Sequence, residues 1–311
     1  MRRTLEFAKR NIYYLIIAAI AIVGIIIGKF FDFRISESLY SPSDPGNAFQ
    51  IIFAGFAEFP CYLFCVFGGI GLIVTMPKDK KWKIVLSWII GLAAILIATG
   101  LGVKTTAEYL VKFEIVKDFA RILQIIGVAL VVICSAGVVA LVIWKKDKFN
   151  KVKLFKISIY MIALAASFVV FSNIVKYMVC RPRPLLVFAA EKPEAIFRQW
   201  YIIKPLSAFG YGEEKDLYLS FPSGHTGAAA TLVGFLPMLF SLFNVTNKKR
   251  FEIIGVCTGL LFALLTAFAR IWCGAHFLAD VSMGIFLVMA EIILIKELSP
   301  IIFRKVGIKD E

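Results

Sequence analysis

Residues 155–186 read FKISIYMIALAASFVVFSNIVKYMVCRPRPLL. A mostly apolar run ends abruptly in Lys176, Arg181 and Arg183, interleaved with Pro182 and Pro184. A run of roughly twenty apolar residues crosses the hydrocarbon as one helix. Lipid does not solvate the cations that close it, and proline does not continue a helix. The stretch therefore predicts a membrane span that ends either in a basic surface anchor or in a site built to hold an anion.

The rest of the chain repeats the first half of that pattern. Hydrophobic residues make up 60% of the sequence and charged residues only 18%, with a mean hydropathy of +0.83. A water-soluble domain has no use for so much apolar surface. Eight apolar runs stand out, at about 12–28, 55–76, 84–103, 122–144, 155–175, 226–243, 251–269 and 281–295. The last is short and carries Glu291. No alternating strand pattern of the outer-membrane barrel type is present. The expected fold is all-α: a polytopic helical membrane protein with about eight transmembrane helices. The first run ends in GKFFDF without a small-residue cleavage site, so it reads as an uncleaved span.

Eight spans place the N-terminus, PKDKKWK (77–83), KKDKFNKVK (145–153), NKKR (247–250) and the C-terminal tail on one side of the membrane. These short segments hold twenty Lys and Arg residues, from Arg2 to Lys309. By the positive-inside rule that side is the cytoplasm, and KYMVCRPRP lies on the outer face with the long segment 185–221. Topology and attraction to anionic lipids account for the net charge of +14. A nucleic-acid partner is excluded, because no solvated basic domain exists. The six cysteines show no metal-binding or redox spacing. Cys180 and Cys273 share the outer face, where a disulfide between them is an open alternative.

The chain has two histidines, His225 and His276, and both fall on that outer face. His225 lies in SFPSGHTGAAA, where Ser223 suits a helix cap and Gly224 lets an anion approach the backbone. Unpaired N–H groups in a first helical turn favour phosphate and press a histidine pKa downward. Read alone, PSGH is equally a plain helix start. His276 and Asp280 in ARIWCGAHFLAD are four apart, so they share a helix face. There Asp280 is placed to accept a hydrogen bond from the imidazole, leaving the other ring nitrogen to attack an electrophile. Read alone, HxxxD is equally a structural tie. Jointly, cations, oriented N–H groups and a nucleophile–carboxylate pair suit phosphoryl transfer.

These segments resemble the type 2 phosphatidic acid phosphatase (PAP2) superfamily, whose signature is KxxxxxxRP, PSGH and SRxxxxxHxxxD. The chain shows Lys176-YMVCRP-Arg183-Pro184, Pro222-Ser223-Gly224-His225 and Ala269-Arg270-IWCGA-His276-FLA-Asp280. The resemblance covers roughly 155–297. It implies that His276 is a nucleophile forming a phosphohistidine, that Asp280 orients it, and that His225 protonates the leaving group. It further implies that Lys176, Arg183, Arg270, Ser223 and the Gly224 backbone hold the phosphoryl oxygens, with no metal or other cofactor. Ala269 departs from the family's serine.

The division that follows is an N-terminal transmembrane section (1–152), a PAP2-like core (153–300) and a cytoplasmic tail (301–311). The implied activity is hydrolysis of a lipid phosphomonoester or pyrophosphate: phosphatidic acid, phosphatidylglycerophosphate or a polyprenyl pyrophosphate. A phosphotransferase using the same site is one alternative. A lipid transporter is another, though the ionisable residues cluster at one face and do not line the middle of the spans. The seven-residue offset from Lys176 selects Arg183 for phosphate and leaves Arg181 as a head-group or surface contact. The aromatics Phe197, Trp200, Tyr201, Tyr211 and Tyr218 are expected either to lid the site or simply to anchor the loop at the interface.

Overall fold

The computed structural model describes residues 2–41, 47–76, 79–110, 120–205, 212–243 and 246–305. Tyr211, Lys78 and Lys309 lie outside them. Among the described residues there is no strand, so the chain is an all-helical membrane protein. Its principal helices are α1 (Arg2–Leu39), α2 (Phe59–Thr75), α3 (Lys81–Leu110), α4 (Ala120–Lys145) and α5 (Lys151–Val179). The short α6 (Pro184–Phe188) and α7 (Gly224–Ala230) precede α8 (Leu232–Ser241), α9 (Lys248–Trp272) and α10 (Leu278–Lys305).

All eight apolar runs fold as helix, but six helices among the described residues are long and apolar enough to cross a membrane. The second run yields only the 17-residue α2, begun by Pro60 near its start. The sixth is broken at Thr231 into α7 and α8, the latter with Pro237 inside it. The eighth, short as a hydrophobic run, becomes a 28-residue helix. Its central acid is covered by protein: Glu291 is buried and accepts a 3.0 Å hydrogen bond from the Ser167 hydroxyl of α5. Burial against a polar partner removes the cost of an acid facing lipid.

The chain packs as two compact units. One contains residues 58–166, 231–260 and 294–311. Its helices pack through apolar contacts such as Phe64 on Phe235, with ring centroids 4.9 Å apart. An apolar cavity of about 540 Å³, lined by Phe64, Phe67, Val138, Leu141 and Leu239, lies within it.

The other contains residues 1–57, 167–230 and 261–293, and therefore all three motifs. Here α7 and α10 approach closely, because a side chain on Gly284 would lie 2.6 Å from the Ser223 carbonyl. The turn from α9 to α10 closes through Cys273 N–H to Ala269 O and Gly274 N–H to Ile271 O, both 3.0 Å. Gly274 adopts φ +68° there, with the Tyr40 ring where a side chain would be. Glycine alone takes that conformation without steric cost.

Candidate active site

The KYMVCRPRP stretch turns at the end of α5. The helix stops at Val179 and Cys180 takes a left-handed conformation, φ 45°, while its N–H still reaches Lys176 O at 2.9 Å. The reversal therefore begins two residues before the first proline, whereas the prolines alone were expected to stop the helix. Beyond it the main chain ties the three motifs together. Ser220 N–H donates to Arg181 O (3.0 Å) and Arg183 N–H to Leu217 O (2.8 Å), pairing the first motif with the approach to the second. Leu185 N–H donates to Gly274 O (2.8 Å) and Ser223 N–H to Asp280 O (2.9 Å), binding both to the third. Phe221–Pro222 is a cis peptide. Ser223 caps α7: its Oγ accepts from Thr226 N–H at 3.4 Å and donates to Thr226 Oγ1 at 3.0 Å.

His276 is almost wholly buried just before α10. Its Nδ1 lies 2.7 Å from the Ser220 carbonyl oxygen. A carbonyl only accepts, so Nδ1 must carry the proton and Nε2 holds the free lone pair. The expected direct hydrogen bond from the imidazole to Asp280 is absent. The carboxylate is 3.8 Å from Nδ1, beyond hydrogen-bond reach, and Asp280 acts through Ser220 instead. Ser220 Oγ donates to Asp280 Oδ2 at 2.5 Å, and the same residue's carbonyl fixes the imidazole. Helical spacing put His276 and Asp280 on one face, but capping claimed the carboxylate. Phe277, at the N-cap of α10, has no polar side chain, and Asp280 three residues on accepts its N–H at 2.8 Å.

Arg181 overturns its assignment as a surface contact. Its side chain is wholly buried, with Nη1 2.6 Å from Asp280 Oδ1 and Nη2 2.9 Å from Asp32 Oδ2. Nε donates to Arg198 O at 2.8 Å. The guanidinium lies 4.1 Å from the centroid of the Phe277 ring and 5.5 Å from that of Phe197. Asp32 belongs to α1, and its Oδ1 accepts Ala279 N–H at 3.0 Å, capping α10 from another helix. Neither Asp32 nor Ser220 was singled out from the sequence. Each lies outside the motif positions, and an aspartate inside the apolar first helix was the one available signal.

Arg183 is less buried. Its Nε donates to Asp216 O at 2.8 Å, and Nη1 lies 3.5 Å from Ala275 O. Lys176 occupies the last turn of α5, and the buried Arg270 the last turn of α9. The Arg270 carbonyl accepts the N–H groups of both Ala275 and His276 at 3.1 Å. These cations share one field with the histidines. Burial holds His225 well below the usual histidine pKa, and Arg270, His276, Lys176 and Arg183 push the same way. Burial lowers His276 to about 3, opposed by Asp280 and reinforced by Arg183 and Arg270. Both rings are therefore neutral near neutral pH.

The segment after α6 packs over Arg181. Phe197 sits edge-on to Phe33 and Phe277, at 5.3 and 5.4 Å, and Trp200 stacks on Phe221 at 5.7 Å. All six cysteines are free, so the alternative of a Cys180–Cys273 disulfide is not realised. Among the described residues no group of three or more His, Cys, Asp or Glu is arranged to hold a metal ion.

The class defined by these features is a helical membrane protein with two neutral histidines and three cations gathered at its helix ends. Residues 156–301, just under half of the chain, match the family model of the PAP2 superfamily, as a PAP2 superfamily protein would. No match was found among curated proteins or among solved structures. The match to that family supports a phosphatase-type activity.

Proposed function

We propose that the protein hydrolyses a lipid phosphomonoester or pyrophosphate through a phosphohistidine on His276, without a metal ion. The observation that carries this reading is the Nδ1 contact to the Ser220 carbonyl, which leaves Nε2 unprotonated in a site surrounded by Lys176, Arg183 and Arg270. In the first step the Nε2 lone pair forms the phosphorus–nitrogen bond, and the bond to the lipid oxygen breaks. His225 gives that oxygen a proton. In the second step water attacks phosphorus and gives a proton to the now neutral His225, the phosphorus–nitrogen bond breaks, and inorganic phosphate leaves. Lys176, Arg183, Arg270, the Ser223 hydroxyl and the Gly224 N–H hold the non-bridging oxygens, where charge must be met throughout.

The low pKa of His225 fits an acid that is charged only when substrate is present. Burial is the larger cause of that depression and the surrounding cations the smaller; a bound phosphate dianion offsets the cations, so binding moves the ring's pKa upward. Lipid substrates are favoured because the first and third motifs lie at the ends of helices long and apolar enough to cross a membrane. Phosphatidic acid, phosphatidylglycerophosphate and a polyprenyl pyrophosphate are the candidates. The twenty basic residues of the short connecting segments and termini support a cytoplasmic location for both termini and an outward-facing site in a cell membrane.

The test is phosphate release from those three lipids in detergent with EDTA present, comparing wild type with His276→Ala. Release by wild type and none by the variant is the expected result. Activity that survives the substitution, or that requires a divalent metal, overturns the mechanism.

A further inference from the structure

Two carboxylates flank one guanidinium beside His276, and the site as read so far uses only one of them. Arg181 bridges Asp280 at 2.6 Å and Asp32 at 2.9 Å, all three side chains being fully buried. If Asp280 were the only acid, the Arg181 charge would cancel it, and the imidazole would face an electrically neutral pair. The second carboxylate leaves the cluster with one net negative charge.

We propose that Asp32 is a positioning residue of this site, whose charge keeps the Asp32–Arg181–Asp280 cluster anionic as His276 is phosphorylated. The inference rests on the phosphohistidine reading above. When Nε2 forms its bond to phosphorus, the ring keeps the Nδ1 proton and becomes positive. That charge develops in a buried place already populated by Arg183 and Arg270, where an uncompensated cation is costly. The negative cluster reaches it through the Asp280–Ser220–His276 contacts. Asp32 lies in α1, outside the residues matched by the family model, so this chain draws part of its site from its first helix.

A structural explanation competes, since Asp32 also caps α10 through Ala279 N–H. Asparagine caps a helix as well as aspartate does, so Asp32→Asn keeps the cap on Ala279 N–H through its Oδ1 and removes the charge, together with the oxygen that faces Arg181 Nη2. With phosphatidic acid as probe, the full-length Asp32→Asn enzyme is expected to lose about tenfold in kcat with KM within about twofold of wild type. Alkaline-quench trapping with phosphatidic acid 32P-labelled in its phosphate should show slower phosphohistidine formation. The double variant Asp32→Asn/Arg181→Gln restores one net negative charge on Asp280 and is expected to be faster than Asp32→Asn alone.

A kcat within twofold of wild type for Asp32→Asn overturns the proposal. So does a double variant slower than the single one, or a loss of kcat accompanied by an equal loss of thermal stability. A wild-type enzyme that forms no phosphohistidine overturns this proposal and the mechanism beneath it together. A wild type that does, beside an unaffected Asp32→Asn, overturns this proposal alone.

Discussion

Arg181-Pro182 and Arg183-Pro184 are the same dipeptide twice, yet the two arginines have opposite surroundings. The Arg181 side chain is sealed between two aspartates and two phenylalanine rings. Two residues later, Arg183 is partly exposed and rests on the carbonyls of Asp216 and Ala275. Carbonyl contacts orient a guanidinium at a partly exposed position, which suits an anion that comes and goes. Carboxylate contacts spend the charge inside the protein. On the proposed function, the first arginine builds the site and the second serves it.

The largest effect that sharpens this contrast belongs to Arg181→Ala. Removing the shared partner leaves two buried carboxylates facing each other, a defect of about 3–5 kcal/mol. It is expected as a lowered unfolding temperature in detergent together with loss of activity. A variant as stable as wild type would break the comparison.

Arg183→Ala comes next and differs in kind. The fold should be retained while kcat/KM falls by about a hundredfold, the usual scale for deleting one charge-stabilising donor. Removing this cation also relieves part of the downward push on His225. The ring then stays protonated to higher pH, so the base limb of the kcat/KM profile should move upward. A limb that stays put or moves down would separate Arg183 from His225.

Ser220→Ala is the smallest. It removes the hydroxyl bridge to Asp280 but not the carbonyl that fixes the imidazole tautomer. A loss in kcat of about tenfold is expected, the lower end of the range for one charge-assisted hydrogen bond. Complete inactivation would show that the hydroxyl, and not the carbonyl, orients His276.

The reasons some residues were legible and others not lie in chain separation. Lys176, Arg183, His225, Arg270, His276 and Asp280 sit in local motifs whose spacing is visible in the sequence, and the fold brings them into one compact unit. The contacts that organise them run across the chain: Ser220 to Asp280 over 60 residues, Arg181 to Asp280 over 99 and Asp32 to Ala279 over 247. No local period encodes such pairings. The register argument separated Arg183 from Arg181 but misplaced Arg181, because it did not include the turn at Cys180. Hydropathy identified eight helical stretches, but not how far each helix runs. Glycine, proline and polar contacts set the breaks at Thr231 and the extension of α10.

The cap that Asp32 provides also has a bearing on the order in which the protein is made. Chains emerge from the N-terminus, so Arg181 reaches the membrane about a hundred residues before Asp280 exists. Asp32, already inserted with the first helix, is the one member of the triad that can meet it. During synthesis the first helix thus shelters a charge that the bilayer would otherwise resist, and holds it for the last helix to claim.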